Sequence, residues 1–261
     1  EVYFGDRSFL RPDINRWNRP SDPRARAEIP PPRPGATRVF TYAKEDAQQL
    51  QILMSFPVAT THGTDRAALL ILAEMLNGEL QRLRREFGVA YSFGALLDDQ
   101  SPRIALAGDV DARRASEAMP ALLESLDRLR NGDDFDRRFA RARRTVLHRA
   151  LLDRSDATLF SNAVVEALQA GVGIEQVLDR PRQVATATPK QVRDVIVAVL
   201  PHERSVTVLI GPMAALEAAQ TAADLGPAEA LAESAGLDDG KATSRRPTRA
   251  PPWEATRTPQ G

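Results

Sequence analysis

The sequence predicts an α+β fold in which a mostly antiparallel sheet is packed by helices on one face. Two extended segments that lie close together in the chain precede a long amphipathic helix, and two more extended segments follow it. A run of helices then fills the chain before a last strand. Because a sheet and its helices must bury their apolar faces against each other, this order favours one layer of helices on one sheet.

The first four strands and the helix between them are predicted from residue spacing. Extended segments are expected at residues 38–43, 49–56, 90–97 and 103–110. Gly88 supplies the flexible or left-handed position at which a chain leaves a helix sharply. Between residues 64 and 86 the apolar residues recur at helical spacing and form one dry face, made of Ala67, Leu70, Ile71, Met75, Leu76, Leu80 and Leu83.

Helix start signals organise the second half of the domain. Further helices are predicted to begin at Asp111, at Asp133 or Asp134, at Ser155 and at Thr188-Pro189. They are expected to reach about residues 132, 152, 170 and 200 in turn, and proline is tolerated in the first turn of the last one. Residues 204–210 then read as a closing strand.

The two ends of the chain differ in composition from the middle. From about residue 223 the chain is low in large apolar residues and rich in Pro, Arg, Ser, Thr and Gly, which predicts a disordered tail over 223–261. The domain itself is expected to cover 37–222. Residues 1–36 are predicted to be an extended linker, because they contain Pro12, Pro20, Pro23, Pro30, Pro31, Pro32 and Pro34.

Composition bounds the class of protein. The chain has 261 residues, 43% of them hydrophobic, and its 35 basic and 35 acidic residues give a net charge of +0. This balance gives no electrostatic case for nucleic acid or an anionic membrane surface as a partner. No apolar run approaches the length of about 20 residues that crosses a bilayer. The absence of cysteine excludes disulfides and thiolate chemistry and leaves a cytoplasmic, a periplasmic or an exported location equally open.

Residues for catalysis or for metal binding are missing from the sequence. The three histidines are His62, His148 and His202, and none stands in a His-x-x-Glu-His or His-Glu-x-x-His arrangement. The acidic pairs at 98–99 and 133–134 read as a turn and a helix start, and a glycine-rich phosphate loop is absent. We therefore expect no catalytic residue, no metal site and no bound cofactor in this chain.

The most informative stretch is residues 83–92, Leu-Arg-Arg-Glu-Phe-Gly-Val-Ala-Tyr-Ser, which ends a helix and enters a strand. It places Arg84 in the last helical turn and Tyr91 at the start of a strand. On general grounds Arg84 could cap helix carbonyls through its charge, and Tyr91 could be a half-buried strand residue whose hydroxyl is satisfied locally.

These ten residues resemble the signature of the C-terminal, non-metal half of the pitrilysin/insulinase zinc metallopeptidases, peptidase family M16. The resemblance extends from about residue 47 to Pro212 and includes Gln-Leu-Gln-Ile at 49–52, the Phe-Pro pair at 56–57 and Gly211 before the proline. Tyr-Phe-Gly-Asp at 3–6 resembles the end of the metal-binding half. The chain, which begins without methionine, therefore looks like the end of a preceding domain, a linker and a second half.

The resemblance implies a division of labour between two halves. A partner half, in the same polypeptide or in a separate subunit, would supply zinc, its ligands and the general-base Glu. This half would close a chamber over an extended peptide, with Tyr91 and Arg84 as its substrate-binding residues. Arg85 could replace Arg84, although it is one residue out of register.

Two other functions remain open from the sequence. One is a catalytically inactive structural or assembly subunit of the same fold. The other is a stand-alone module that binds an extended peptide at a sheet edge. Many members of the family carry a glycine-rich loop followed by Ser-Arg-Leu upstream of the signature, and this chain has only Asn77-Gly78 there. The loop is therefore predicted to be shortened.

Overall fold

The computed structural model of the chain describes residues 38–59, 65–87, 90–98, 102–169, 173–201 and 205–231. The strands are β1 (Arg38–Ala43), β2 (Gln49–Pro57), β3 (Ala90–Asp98), β4 (Arg103–Asp111), β5 (Val206–Gly211) and β6 (Ala228–Ala230). The helices are α1 (Arg66–Phe87), α2 (Ala115–Asn131), α3 (Phe135–Ser155), α4 (Ala157–Gln169), α5 (Ile174–Thr186), α6 (Pro189–Val199) and α7 (Met213–Ala222). The predicted α+β fold is confirmed.

The six strands form one mixed sheet in the order β3-β4-β2-β5-β1-β6. Neighbours are antiparallel from β3 to β5, whereas β1 is parallel to both β5 and β6. β1 and β2 follow each other in sequence but are not neighbours, because β5 lies between them. Tyr42 of β1 and Gln51 of β2 both align with Ile210 of β5.

The core lies on one face of the sheet. Along β2 the residues Leu50, Ile52, Met54 and Phe56 are buried and the residues between them are not, which is the alternation of a strand covered on one side. The buried residues of β2 form one core with those of α1. The opposite face of the strands carries apolar side chains that are half-buried and outside this core, namely Phe40, Tyr42, Leu53, Val206, Val208 and Ile210.

Local hydrogen bonds explain where the helices begin. Thr188 is the N-cap of α6 and Pro189 its first residue, as predicted, and the structure adds a capping box between Thr188 and Gln191. Ser155 is not the N-cap predicted for α4, because Asp156 accepts hydrogen bonds from the backbone N–H groups of Thr158 and Leu159 at 2.8 and 2.9 Å. The side chain of Ser155 instead donates to a carbonyl of the preceding helix.

Asp111 caps a short 3-10 turn and not the α-helix that was predicted there. Its carboxylate accepts a hydrogen bond from the backbone N–H of Arg113, and the turn covers Ala112–Arg114 before α2 begins. The side-chain hydrogen bond from Arg113, together with the one from its backbone, lowers the pKa of Asp111 to about 2. The predicted helix therefore exists as α2, but it begins at Ala115, after the turn.

Three elements were not placed from the sequence, namely α5, α7 and β6. α5 contains Pro181 in its interior, which hides its helical pattern, although Val177, Pro181 and Val184 are buried on one face. β6 falls within the stretch expected to be a tail and pairs with β1 through Val39 to Thr41. Its alanines give no strand signal, and the strand forms through backbone pairing, beside an exposed ion pair of Glu229 with Arg38 of β1 at 3.9 Å. The sheet therefore reaches Ala230, beyond the domain end expected at 222.

Gly78 lies within an uninterrupted helix, at the place where the sequence suggested a shortened loop. A Cβ at this position would meet no atom within 4 Å. Because glycine in a helix interior is disfavoured relative to alanine, we expect Gly78→Ala to raise the free energy of unfolding by about 0.5–1 kcal/mol. Urea unfolding followed by circular dichroism measures this, and a lowered midpoint would contradict an intact helix here.

Candidate functional site

Arg84 lies in the last turn of α1, as the sequence predicts, and its side chain is exposed. Within the described part of the chain it has no hydrogen bond and no ion pair, so the capping of helix carbonyls by Arg84 is not seen. Arg82, two residues earlier, is held on Glu79 at 3.1 Å. An exposed arginine guanidinium presents N–H donors of the kind that bind a carbonyl or carboxylate oxygen.

Tyr91 lies at the start of β3, where the pairing with β4 is irregular. Ala90 aligns with Val110 and Ser92 aligns with Asp109, so that Tyr91 is an extra residue in this part of the strand pair. A bulge of this kind bends the strand and changes the direction of the side chain it carries, which is common beside functional sites. The side chain of Tyr91 lies outside what the structure describes.

The bulge is anchored to β4 on one side. The hydroxyl of Ser92 donates to the carboxylate of Asp109 at 2.9 Å. Gly108 lies opposite Phe93, and a Cβ on it would overlap the carbonyl oxygen of Ser92 and the ring of Phe93. Only glycine lets the two strands approach so closely here. This requirement was not apparent from the sequence, because it depends on which residues face each other.

Gly108→Ala is expected to lower the free energy of unfolding by about 1–3 kcal/mol, because the added methyl group must push β3 away from β4 beside Tyr91. Gly94→Ala is the matched control in β3, since its Cβ would meet only Asn77 Oδ1 at 3.6 Å, an ordinary contact. Urea unfolding of both variants measures the difference. Equal stability of the two variants would contradict the close approach.

A buried ion cluster holds α1 against α3 beneath the site. The carboxylate of Glu79 is buried and pairs with Arg138 of α3 at 3.0 Å as well as with Arg82. Arg138 also pairs with Asp134 at 2.6 Å, and this hydrogen bond holds the pKa of Asp134 below its usual value. The cluster is internally paired and carries no free acid or base for catalysis.

The described residues hold no metal-binding group. No three His, Cys, Asp or Glu side chains converge within residues 38–59, 65–87, 90–98, 102–169, 173–201 and 205–231. His148 is exposed on α3, and His62 and His202 lie outside the described residues.

A pocket of about 380 Å³ lies between the start of α1 and the helices α5 and α6. Its charged residues are Asp179 and Arg182, which form an ion pair at 2.6 Å. The hydrogen bond from Arg182 lowers the pKa of Asp179. Because its charges satisfy each other, this pocket offers no group for acid–base chemistry. It is lined by Ala67, Ala68, Asp179, Arg182, Gln183, Thr186, Ala187 and Gln191.

Several large apolar side chains are exposed on α4 and on the neighbouring ends of α3 and α5. Ala163 and Ala167 of this helix pack with Val177 in a small core of their own. We call the large apolar side chains left exposed around it the α4 patch, which consists of Leu151, Leu152, Leu159, Val165, Leu168, Ile174 and Leu178.

No single helix in the described part of the chain is long and apolar enough to span a membrane. The helices α4 and α5, bent by 112° across a break outside the described residues, pass that test only as a pair and only on length and composition.

The fold and the sequence both have relatives. Residues 4–146, more than half of the chain, match the family model of the peptidase M16 inactive domain. A protease from Helicobacter pylori has a TM-score of 0.61 at 12% identity, over 69% of this chain and 46% of that one. A peptidase M16 inactive domain from Pseudomonas fluorescens has a TM-score of 0.57 at 16% identity, over 68% of this chain and 44% of that one. No curated protein matches the chain in sequence.

A shorter relative consists almost entirely of the domain that it shares with this chain. The inactive peptidase domain of a candidate zinc protease from Bordetella parapertussis has a TM-score of 0.56 at 17% identity, over 64% of this chain and 94% of that one. By contrast, this chain spans less than half the length of the Helicobacter and Pseudomonas structures. The match in sequence and the shared fold lead to one conclusion. The chain belongs to the peptidase M16 family and is a non-catalytic domain of the kind described as the peptidase M16 inactive domain.

Proposed function

We propose that this chain is the substrate-binding half of a zinc-dependent endopeptidase and closes a chamber over an extended peptide. The observation that carries the proposal is the exposed Arg84, without an ion pair in the described residues, in the last turn of α1 and seven residues before the bulged Tyr91. The zinc, its ligands and the general base would belong to a partner half. Consistent with this, residues 1–36 would be the linker to that half and the chain beyond the sheet a tail.

The chemistry of this half would be binding and not bond cleavage. An arginine guanidinium presents several N–H donors in a fixed plane, and a tyrosine hydroxyl adds one more. Directed at the scissile carbonyl or its neighbour, these donors hold the peptide backbone and stabilise negative charge that develops on oxygen. When bound in the partner half, zinc would polarise the carbonyl and supply the activated water.

The proposal is tested by separating the two halves. The zinc-bearing half is expressed from the same polypeptide or from a neighbouring reading frame, and peptide cleavage is measured for each half and for the mixture. We expect cleavage by the mixture alone and its loss with a chelator. Binding of one zinc equivalent by this chain, or cleavage by this chain alone, would contradict the proposal.

A second function, an inactive assembly subunit, is favoured by the α4 patch. The patch brings seven exposed large apolar side chains into a short stretch of the chain, and exposed apolar surface commonly marks a protein–protein interface. If assembly is the only role, Leu168→Asp should abolish complex formation, and Arg84→Ala should change nothing that can be measured. If both variants impair cleavage, and only Leu168→Asp impairs assembly, the chain has an interface and a substrate site.

A further inference from the structure

Asn77 makes an unusual link between a helix and a strand. Its Nδ2 donates to the carbonyl oxygen of Ala95 at 2.9 Å, and the backbone N–H of Ala95 donates to Asn77 Oδ1 at 2.7 Å. One side-chain amide thus binds both backbone polar groups of a residue 18 positions away. The two hydrogen bonds reproduce those that a neighbouring strand would make.

The position of Ala95 explains what this link does for the sheet. β3 is an edge strand, and β4 pairs with it on one side only. An edge strand leaves a row of backbone donors and acceptors unpaired on its other side. The Asn77 amide occupies the pair at Ala95, so an added peptide strand cannot pair with the edge at this residue.

The same link joins the two ends of residues 77–95, the segment that contains Arg84 and Tyr91. Arg84 is seven residues after Asn77, which places it on the same face of α1, about 10 Å further along the axis. Tyr91 is four residues before Ala95, about 13 Å away along β3. The part of α1 that carries Arg84 and the part of β3 that carries Tyr91 are therefore joined by the two hydrogen bonds between Asn77 and Ala95.

Apolar packing alone would not fix the position of α1 along β3. Leu76, Leu80 and Leu83 bury one face of α1 in the core, but hydrophobic contact has no preferred direction and tolerates sliding of a helix along a strand. Two short hydrogen bonds to one backbone residue do have direction. They set where α1 lies along β3.

We propose that Asn77 is a positioning residue, whose amide clamps α1 to Ala95 of β3 and so sets the placement of Arg84 relative to Tyr91. The clamp also closes the β3 edge to strand addition at Ala95. The part of the inference that concerns substrate rests on the proposed function of Arg84 and Tyr91.

The test uses Asn77→Asp, which keeps the shape of the side chain but puts a carboxylate oxygen in place of the donor that faces the Ala95 carbonyl. Repulsion between these two oxygens is expected to open the whole pair, including the hydrogen bond from the Ala95 N–H. Gln81→Glu is the matched control, because Gln81 is an exposed amide on the same helix without this contact. In the full chain, we expect amide hydrogen exchange of Ala95 to speed up about tenfold in Asn77→Asp and to stay unchanged in Gln81→Glu. Unchanged exchange in Asn77→Asp would overturn the clamp.

Positioning is measured separately with a spin label at Arg84→Cys, which is specific because the chain has no native cysteine. The label should become more mobile when Asn77→Asp is added and not when Gln81→Glu is added. An unchanged spectrum would overturn the positioning role even if exchange at Ala95 is faster. Neither readout needs the partner half or an active complex.

The consequence for substrate is measured in the complex with the zinc half. We expect Asn77→Asp to lower kcat by about tenfold with little change in KM, since misplaced donors weaken the transition state more than initial binding. If Arg84→Ala and Tyr91→Phe lower cleavage but Asn77→Asp does not, the positioning inference fails and the proposed function stands. If all three variants leave cleavage unchanged, the proposed function fails. Hydrogen exchange at Ala95 and the mobility of the spin label then still show whether Asn77 clamps α1 to β3.

Discussion

In the complex with the zinc-bearing half, Tyr91→Phe is expected to lower kcat/KM for peptide cleavage about a hundredfold, and Arg84→Ala by a similar factor. If the proposed function holds, each change removes a hydrogen-bond donor directed at charge that develops on the carbonyl oxygen, and the loss of one such donor typically costs roughly two to three orders of magnitude in rate. The loss should be larger in kcat than in KM, because the contact strengthens in the transition state.

Arg85→Ala is the control that the chain itself provides. Arg85 is adjacent to Arg84, is also exposed and makes no ion pair within the described residues. A general effect of positive charge would be lost equally from both positions, whereas a contact that depends on geometry would be lost from Arg84 alone. Equal loss in the two variants would refute the assignment of Arg84, and unchanged cleavage in Arg84→Ala and Tyr91→Phe would assign both residues to packing.

Phe56→Ala is expected to lower the free energy of unfolding by about 3–5 kcal/mol, since it removes a buried ring and leaves a cavity. Phe56 is 0% exposed on β2, in the centre of the core between sheet and helices. For a domain whose total stability is on the order of 5–15 kcal/mol, such a loss is a large fraction. Urea unfolding at constant m-value measures it.

Leu53→Ala is the matched control on the other face of the same strand. Leu53 is half-buried and outside the helix-packed core, so its loss should cost about 1 kcal/mol or less. Losses of equal size at the two positions would contradict a sheet covered by helices on one face. The same variant also tests whether the partner half covers this face. A larger loss of stability from Leu53→Ala in the complex than in the isolated chain would locate a contact with the partner half at Leu53.

Much of the site could be predicted from the sequence because its determinants are local. Arg84 in a last helical turn and Tyr91 at a strand start follow from a helical period and a breaking glycine within one short stretch. What the two side chains do could not be predicted from spacing. The bulge at Tyr91 depends on β4, which lies further along the chain.

Asn77 and Gly108 show why other parts of the site were missed. In the sequence Asn77 is one residue of a shortened loop, and Gly108 is one glycine in a strand. Their roles exist only when Ala95 lies beside α1 and Phe93 lies beside β4. A single sequence contains no signal for such a pair, because the partners are separated by 15 to 18 residues and have no charge or motif in common.

The sequence by itself determined the class of fold, four strands nearly to the residue, the start of α6 at Thr188-Pro189 and the missing zinc motif. These depend on periodicity, capping and residue type, which act over a few neighbouring residues. Tertiary structure alone decided that β5 separates β1 from β2, that β6 joins the sheet through its backbone, and that Asn77 holds Ala95. These depend on backbone groups, which every residue shares, and the pairing of such groups is chosen only when the whole sheet assembles.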